Sequence, residues 1–535
     1  MQAMLRTCST LLVLTSALSS AQGPALEWDA ARAEHLLNRA GFGANSAAIE
    51  RSLALGPEAV VDELLCVEGW IEEPFYARKK PSGDLRKYVQ KLPEEEREKR
   101  MSEMREEDRA QLADFLDWWV GRMIAGQEPL RERMVLFWHG HFTSSMAAVQ
   151  SSYEMIQQNQ LFRRRALGSF RELLYGVAHD PAMLIYLDNT ASRKQHPNEN
   201  FARELLELFT LGEGNYGEED VREVARAFTG WGQENGHFRF DPGRHDGGKK
   251  RVLGVTGKLD GDDVLEILLK MPACARHLAH ALLAYFEGRE PEAERLERYA
   301  AELRDSGYRI DDFLRRLFLD PEFYSERTRA SRIASPLDYL VGSARRLGVA
   351  PDGSILVKGA KLLGQELFFP PSVRGWEGGW TWATGASLVL RGELAGLLLG
   401  RVSRRELFGG PKDKDEAEEE SMMDGDSVAM TDASAPRRPP RGIGRLDLYP
   451  RINLTQRLCR EREPSDGELA RALVAELLAI PAPEALVRSV EERLVATRKE
   501  HGLGAEPWSA RPELAEPLLR ELAHGILALP EGQLD

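Results

Sequence analysis

Two imidazoles two residues apart, His139 and His141 in Trp138-His139-Gly140-His141, have the chemistry to hold a divalent ion. Neutral imidazole and carboxylate both suit such an ion, and Asp188 would supply the third ligand. On an extended chain the two histidines can share a metal; on a continuous helix they diverge by about 200° and cannot. A helix that stops at Gly140 removes that objection, and the alternative is two hydrogen-bonded histidines at a helix end. With a metal in place, Glu204 would act as general base on a bound water and Arg203 would stabilise negative charge in the transition state. His196 would be a further ligand or a proton donor. That is a metal-assisted hydrolase, though the spacing lacks the fixed third ligand of a zincin-like motif.

The segment that must position most of these groups runs from His196 to Gly212. Pro197 near its start and Gly212 after its last apolar residue bracket a helix. At about 100° per residue, Glu199, Asn200, Arg203, Glu204 and Glu207 share one arc, with Phe201, Leu205, Leu208 and Phe209 opposite. Either that polar arc is a solvated face with Glu199-Arg203-Glu207 ion-pair spacing, or it lines a pocket with Asp188, His196 and Asn198.

Two further segments carry side chains suited to binding. Between Gly236 and Val255, alternation in His237-Phe238-Arg239-Phe240, a turn at Asp241-Pro242-Gly243 and a return at Val252 to Val255 suggest a small β-hairpin. His245 in that region has no evident turn role. Gly375-Trp376-Glu377-Gly378-Gly379-Trp380-Thr381-Trp382 is a Gly-rich aromatic loop. Exposed Trp376 and Trp380 would stack on sugar rings; as core plugs they would only close the fold.

Elsewhere the pattern is amphipathic helix, giving a mostly α fold: a large helical body over 29–410 with the hairpin inserted. Leu112, Phe115, Leu116, Trp119 and Met123 have helical spacing, as do Leu130, Met134, Phe137, Trp138 and His141. Residues 93–109 read as a charged, solvated arm, and 411–441 as a disordered acidic insertion. Helices return over 442–535 and are expected to pack on the same body. Arg6, the apolar run from Leu11 to Leu18, and small Ser19 and Ala21 have the form of a signal peptide cleaved after residue 21, which implies a periplasmic or extracellular protein. No later run spans a membrane, because Arg391 and Glu393 interrupt the best candidate. A net charge of −14 argues against a nucleic-acid surface. Cys66, Cys274 and Cys459 are too few and too widely spaced for a disulfide framework.

Three stretches taken in order resemble one bacterial family, known only as domain of unknown function 1800. They are His35 to Gly43, Phe137 to Phe142 and Asn198 to Gly212; Asp241 to Gly254 and Gly364 to Trp382 are similar too. The resemblance implies an exported helical protein, often encoded beside a sulfatase-like exported protein, and raises the expectation that His139, His141, His196, Asn198, Glu199, Asn200, Arg203 and Glu204 form one cluster. It implies no activity. Two functions therefore stand at this point: a metal-dependent hydrolase outside the cytoplasm, or a non-catalytic module binding a glycan or a partner protein such as that sulfatase-like neighbour.

Overall fold

A computed structural model describes residues 26–66, 88–408, 452–459 and 463–534. The signal-like segment 1–21 and the acidic segment 411–441 lie outside the described residues.

Helix α1 (Ala30–Ala40) starts where the Asp29 carboxylate accepts the Arg32 N–H. Helix α2 (Glu94–Ala125) opens with Glu94, Glu95 and Glu96, acids that complement the partial positive charge of a helix N-terminus. Its first turns are solvated, and it enters the core only from Leu112, burying the Leu112, Phe115, Leu116, Trp119 and Met123 face that the sequence spacing marks. Helix α3 (Pro129–His141) has proline at its first position and is buried almost throughout, charges included. Those charges are paired: buried Glu132 accepts from Arg122, Arg163 and Trp119 Nε1.

Helix α4 (Glu199–Glu204) continues directly into a π-helical stretch, Leu205–Thr210. Helix α5 (Pro272–Glu287) packs against that stretch, and helix α6 (Pro336–Arg346) packs against α2. Asp338 on α6 pairs with Arg133 on α3, and Arg133 also donates to the Gly41 carbonyl after α1. Three segments far apart in sequence are thus tied by one buried guanidinium.

The C-terminal helices share this core. Helix Pro512–Ala528 packs on helix Gly385–Leu398. The Tyr339 hydroxyl donates to the Arg391 and Leu527 carbonyls, and Arg391 donates to Gln533 Oε1 at 3.1 Å. Buried apolar side chains from Leu36 to Leu527 form one contiguous cluster. Among the described residues no helix is long and apolar enough to cross a membrane.

The chain is mostly α, as the sequence pattern indicates, but the small β portion is wired differently. His237–Phe240 does not pair with Val252 to Val255. It pairs with Trp231–Glu234 upstream, and Lys250–Val252 pairs with Val255–Gly257. The reason is local. Asn235 and Gly236 both have positive φ (54° and 78°), the two-residue turn that matches strand twist. Leu253 and Gly254 (48° and 85°) make the second.

Candidate functional site

Gly140 does not end α3, which runs through His141. The two imidazoles therefore leave the helix on different sides, and their surroundings confirm it. His139 is fully buried, with ring centroids of Phe368, Trp376 and Trp119 at 4.8, 5.6 and 5.8 Å. Its Nε2 accepts the Phe368 backbone N–H at 3.1 Å. An amide N–H only donates, so Nε2 holds a lone pair and the proton of the neutral ring sits on Nδ1. Burial pushes its pKa down to about 4.

His141 has the opposite tautomer. Its Nε2 faces the Phe209 carbonyl at 3.3 Å, and a carbonyl only accepts, so Nε2 carries the proton. The ring stacks on Phe137 at 5.8 Å. Burial, and then the neighbouring His277, push its pKa down to about 3. Two neutral imidazoles facing different partners are not a chelating pair.

Asp188 is exposed, at φ 57°, and what it offers the fold is its carbonyl, which accepts from Asn198 Nδ2 at 2.9 Å. His196 is exposed and pairs through its backbone with Arg193. Among the described residues no group of three or more His, Cys, Asp and Glu side chains is arranged to hold a metal ion. The expected His139-His141-Asp188 ligand set is therefore not assembled, because an unbroken helix turns its two histidines apart.

The polar arc of α4 has structural partners. Asn198 is the N-cap, its Oδ1 accepting the Asn200 N–H at 2.8 Å, while the Asn200 side chain is exposed. Arg203 forks onto the two Glu218 oxygens at 2.7 and 2.8 Å, with Glu199 at 3.8 Å. A guanidinium committed in this way stabilises the surface and is not aimed at a reacting group. Glu204 is half-buried, and burial, then Glu207 beside it, raise its pKa. Glu207 instead receives Tyr216 and Arg374. His245 binds the Thr229 carbonyl at 2.9 Å and packs its ring on Phe240. It pins the loop after the first hairpin.

The stretches do meet, though at other atoms. The π-helix leaves carbonyls to be satisfied at its end; His141 takes that of Phe209 and His277, on α5, takes that of Leu208 at 2.8 Å. Arg374, just before the tryptophan loop, reaches Glu207 at 2.6 Å and Glu213 at 2.8 Å. Gly375 follows at φ 75°, where a Cβ would stand 2.7 Å from the Gly140 carbonyl oxygen. Only glycine permits that approach, and it seats Trp376 against His139.

The loop forms one wall of a cleft of about 700 Å³. Phe137 and His141 of α3, Tyr285 of α5 and the indoles of Trp376, Trp380 and Trp382 line it. Arg332, Asp338 and Gln365 give it polar ground, with Arg332 and Asp338 paired at 3.4 Å. Trp380 is 83% exposed. Of the candidate site residues read from the sequence, His141, Trp376 and Trp380 line this cleft. Tyr285, Arg332 and Asp338 carry no motif, with Ser335-Pro336, where Ser335 caps α6, the local signal beside Asp338; Gln365 lies at the start of the family-like stretch Gly364 to Trp382.

The family of proteins of unknown function designated DUF1800 matches residues 35–533. No curated protein and no solved structure matches the chain.

Proposed function

The chain belongs to the DUF1800 family, a designation that carries no activity, and on its geometry we propose that it is a saccharide-binding protein. The observation that carries this reading is Trp380, an indole left 83% exposed at a cleft of ligand size. Large aromatic faces are ordinarily buried, and one held in water beside further aromatics is suited to stack on the CH face of a sugar ring. Polar groups in the walls are suited to hydroxyls. His141 is uncharged at neutral pH and the Asp338 carboxylate is engaged by Arg133 and Arg332, which favours holding a ligand over exchanging protons with it. The same observations give no support to the metal-assisted hydrolase. With the signal-like residues 1–21 directing export, the ligand would be a glycan outside the cytoplasm, with the sulfatase-like exported protein as a candidate partner.

Titration with the neutral hexasaccharides cellohexaose and chitohexaose, followed by intrinsic tryptophan fluorescence, tests it. Binding is expected in the parent, and Trp380→Ala is expected to weaken it about tenfold, or ~1.4 kcal/mol, with an unchanged melting temperature. If neither sugar binds at millimolar concentration, or if Trp380→Ala binds equally well, the reading is wrong.

A further inference from the structure

The charges that line the cleft do not cancel. Arg332 is engaged by Asp338 at 3.4 Å, and Asp338 is held a second time by Arg133. His141 stays uncharged. Glu377 is left over: it is exposed in the lining, between Trp376 and Trp380, and among the described residues none bonds to its carboxylate. Arg374, three residues earlier, is turned to Glu207 and Glu213. The turn that follows Glu377 brings a further indole back beside it. The Thr381 hydroxyl donates to the Gly378 carbonyl at 2.7 Å, and a Cβ on Gly378 would stand 3.7 Å from the Trp382 ring. With Trp376 and the 83% exposed Trp380, three indoles line the cleft around this one carboxylate. An indole face is the negative side of its ring quadrupole, and tryptophan attracts a cation more strongly than other aromatic side chains do. Carboxylate and indoles thus place negative potential in the same wall.

We propose that the cleft selects saccharides bearing a protonated amino group, with the ammonium received by the Glu377 carboxylate and the indole faces of the tryptophan loop. This rests on the saccharide reading above and adds a charge to it. A 2-amino sugar carries a CH face for stacking and a cation at the ring edge, and this wall has a partner for each. A neutral sugar uses the indoles and can donate a hydroxyl to Glu377, but it gains nothing from the charge. A uronate or a sulfated sugar brings a second negative charge next to Glu377, and the cation that could answer it, Arg332, is already taken. Because the carboxylate is exposed, its attraction is screened and modest, so it sets the preference among sugars more than the total affinity.

The test compares cellohexaose with the glucosamine hexamer of the same linkage, which has an amino group in place of one hydroxyl on each ring. Both are titrated calorimetrically into the full chain and into Glu377→Gln at low salt and pH 5.5, where the amines are protonated and His141 is not. The parent is expected to bind the amino sugar at least about fivefold more tightly, the combined size of an exposed cation–π contact and an exposed ion pair. Glu377→Gln, which keeps the shape of the side chain and loses its charge, is expected to lower that preference at least about twofold. Equal affinity of the parent for the two sugars overturns the inference and leaves the saccharide reading standing. A preference that survives unchanged in Glu377→Gln is general attraction to a chain of net charge −14 and also overturns it. Binding of neither sugar removes both. Tighter binding of hexalysine than of the amino sugar assigns the cation seat to a basic peptide and overturns the saccharide class. The comparison within the parent does not depend on the variant folding.

Discussion

The proton of each buried imidazole, His139 and His141, is placed by a backbone group from elsewhere in the chain. Which nitrogen of each holds the proton is decided by Phe368 and Phe209, residues with no local relation to the pair. With pKa values near 4 and 3, both rings stay neutral over the physiological range. Cellohexaose affinity is therefore expected to be flat from pH 5.5 to 8, and a step near pH 6.5 in a titration series would contradict the burial of both rings. Asp180 provides a sharper acid–base test. It caps the Pro181–Tyr186 helix by accepting the Met183 N–H at 2.9 Å and also accepts from Gln158 at 2.8 Å, yet burial raises its pKa to about 7. A carboxyl raised in the folded state binds its proton more tightly there. Its contribution is complete below its ordinary value of 3.8 and is lost as pH rises through about 7. The buried histidines act in the reverse sense, with contributions complete above 6.5 and lost on acidification. The comparison must therefore be with Asp180→Asn, which keeps the cap and lacks the titrating proton. The parent's stability advantage over that variant, from urea midpoints, is expected to grow as pH falls from 7 to 4; a constant difference would refute the assignment.

At the scale of elements, stops and starts were legible where short-range chemistry sets them. Pro129 and Pro181 begin helices, Gly212 follows one, and Asn198 caps α4. Asn198→Ala is expected to cost about 1 kcal/mol in thermal or chemical unfolding, the usual size of a lost cap. Loss of its bonds to the Leu187 and Asp188 carbonyls acts in the same direction. Asn235-Gly236 was equally available as a turn signal and outweighs the alternation that seemed to link Phe240 with Val252, since two residues of positive φ fix a hairpin register by themselves. The π-helix was not available from sequence. Periodicity along Phe201, Leu205, Leu208 and Phe209 describes an ordinary helix, and the widening is accommodated by His141 and His277, which satisfy carbonyls from 68 and 69 residues away.

For the molecule as a whole, amphipathic spacing made the helical body legible, because every helix must hide one face. The cleft was not, because its walls come from α3, α5, the start of α6 and the tryptophan loop, and no periodicity records which helices will face one another across a gap. What joins these parts is mostly non-covalent. Tyr339 and Arg391 reach across to Leu527 and Gln533, Arg457 donates to the Arg346 carbonyl at 2.7 Å, and the apolar cluster runs through both sides. The peptide link between residues 408 and 452 is thus one connection among many. Two polypeptides, one ending at 408 and the other starting at 452, should recognise each other when co-expressed and copurify through a tag on either. Such a pair would convert the protein into a complementation system, its reassembly set by how well Arg391 and Tyr339 find their partners on the second piece.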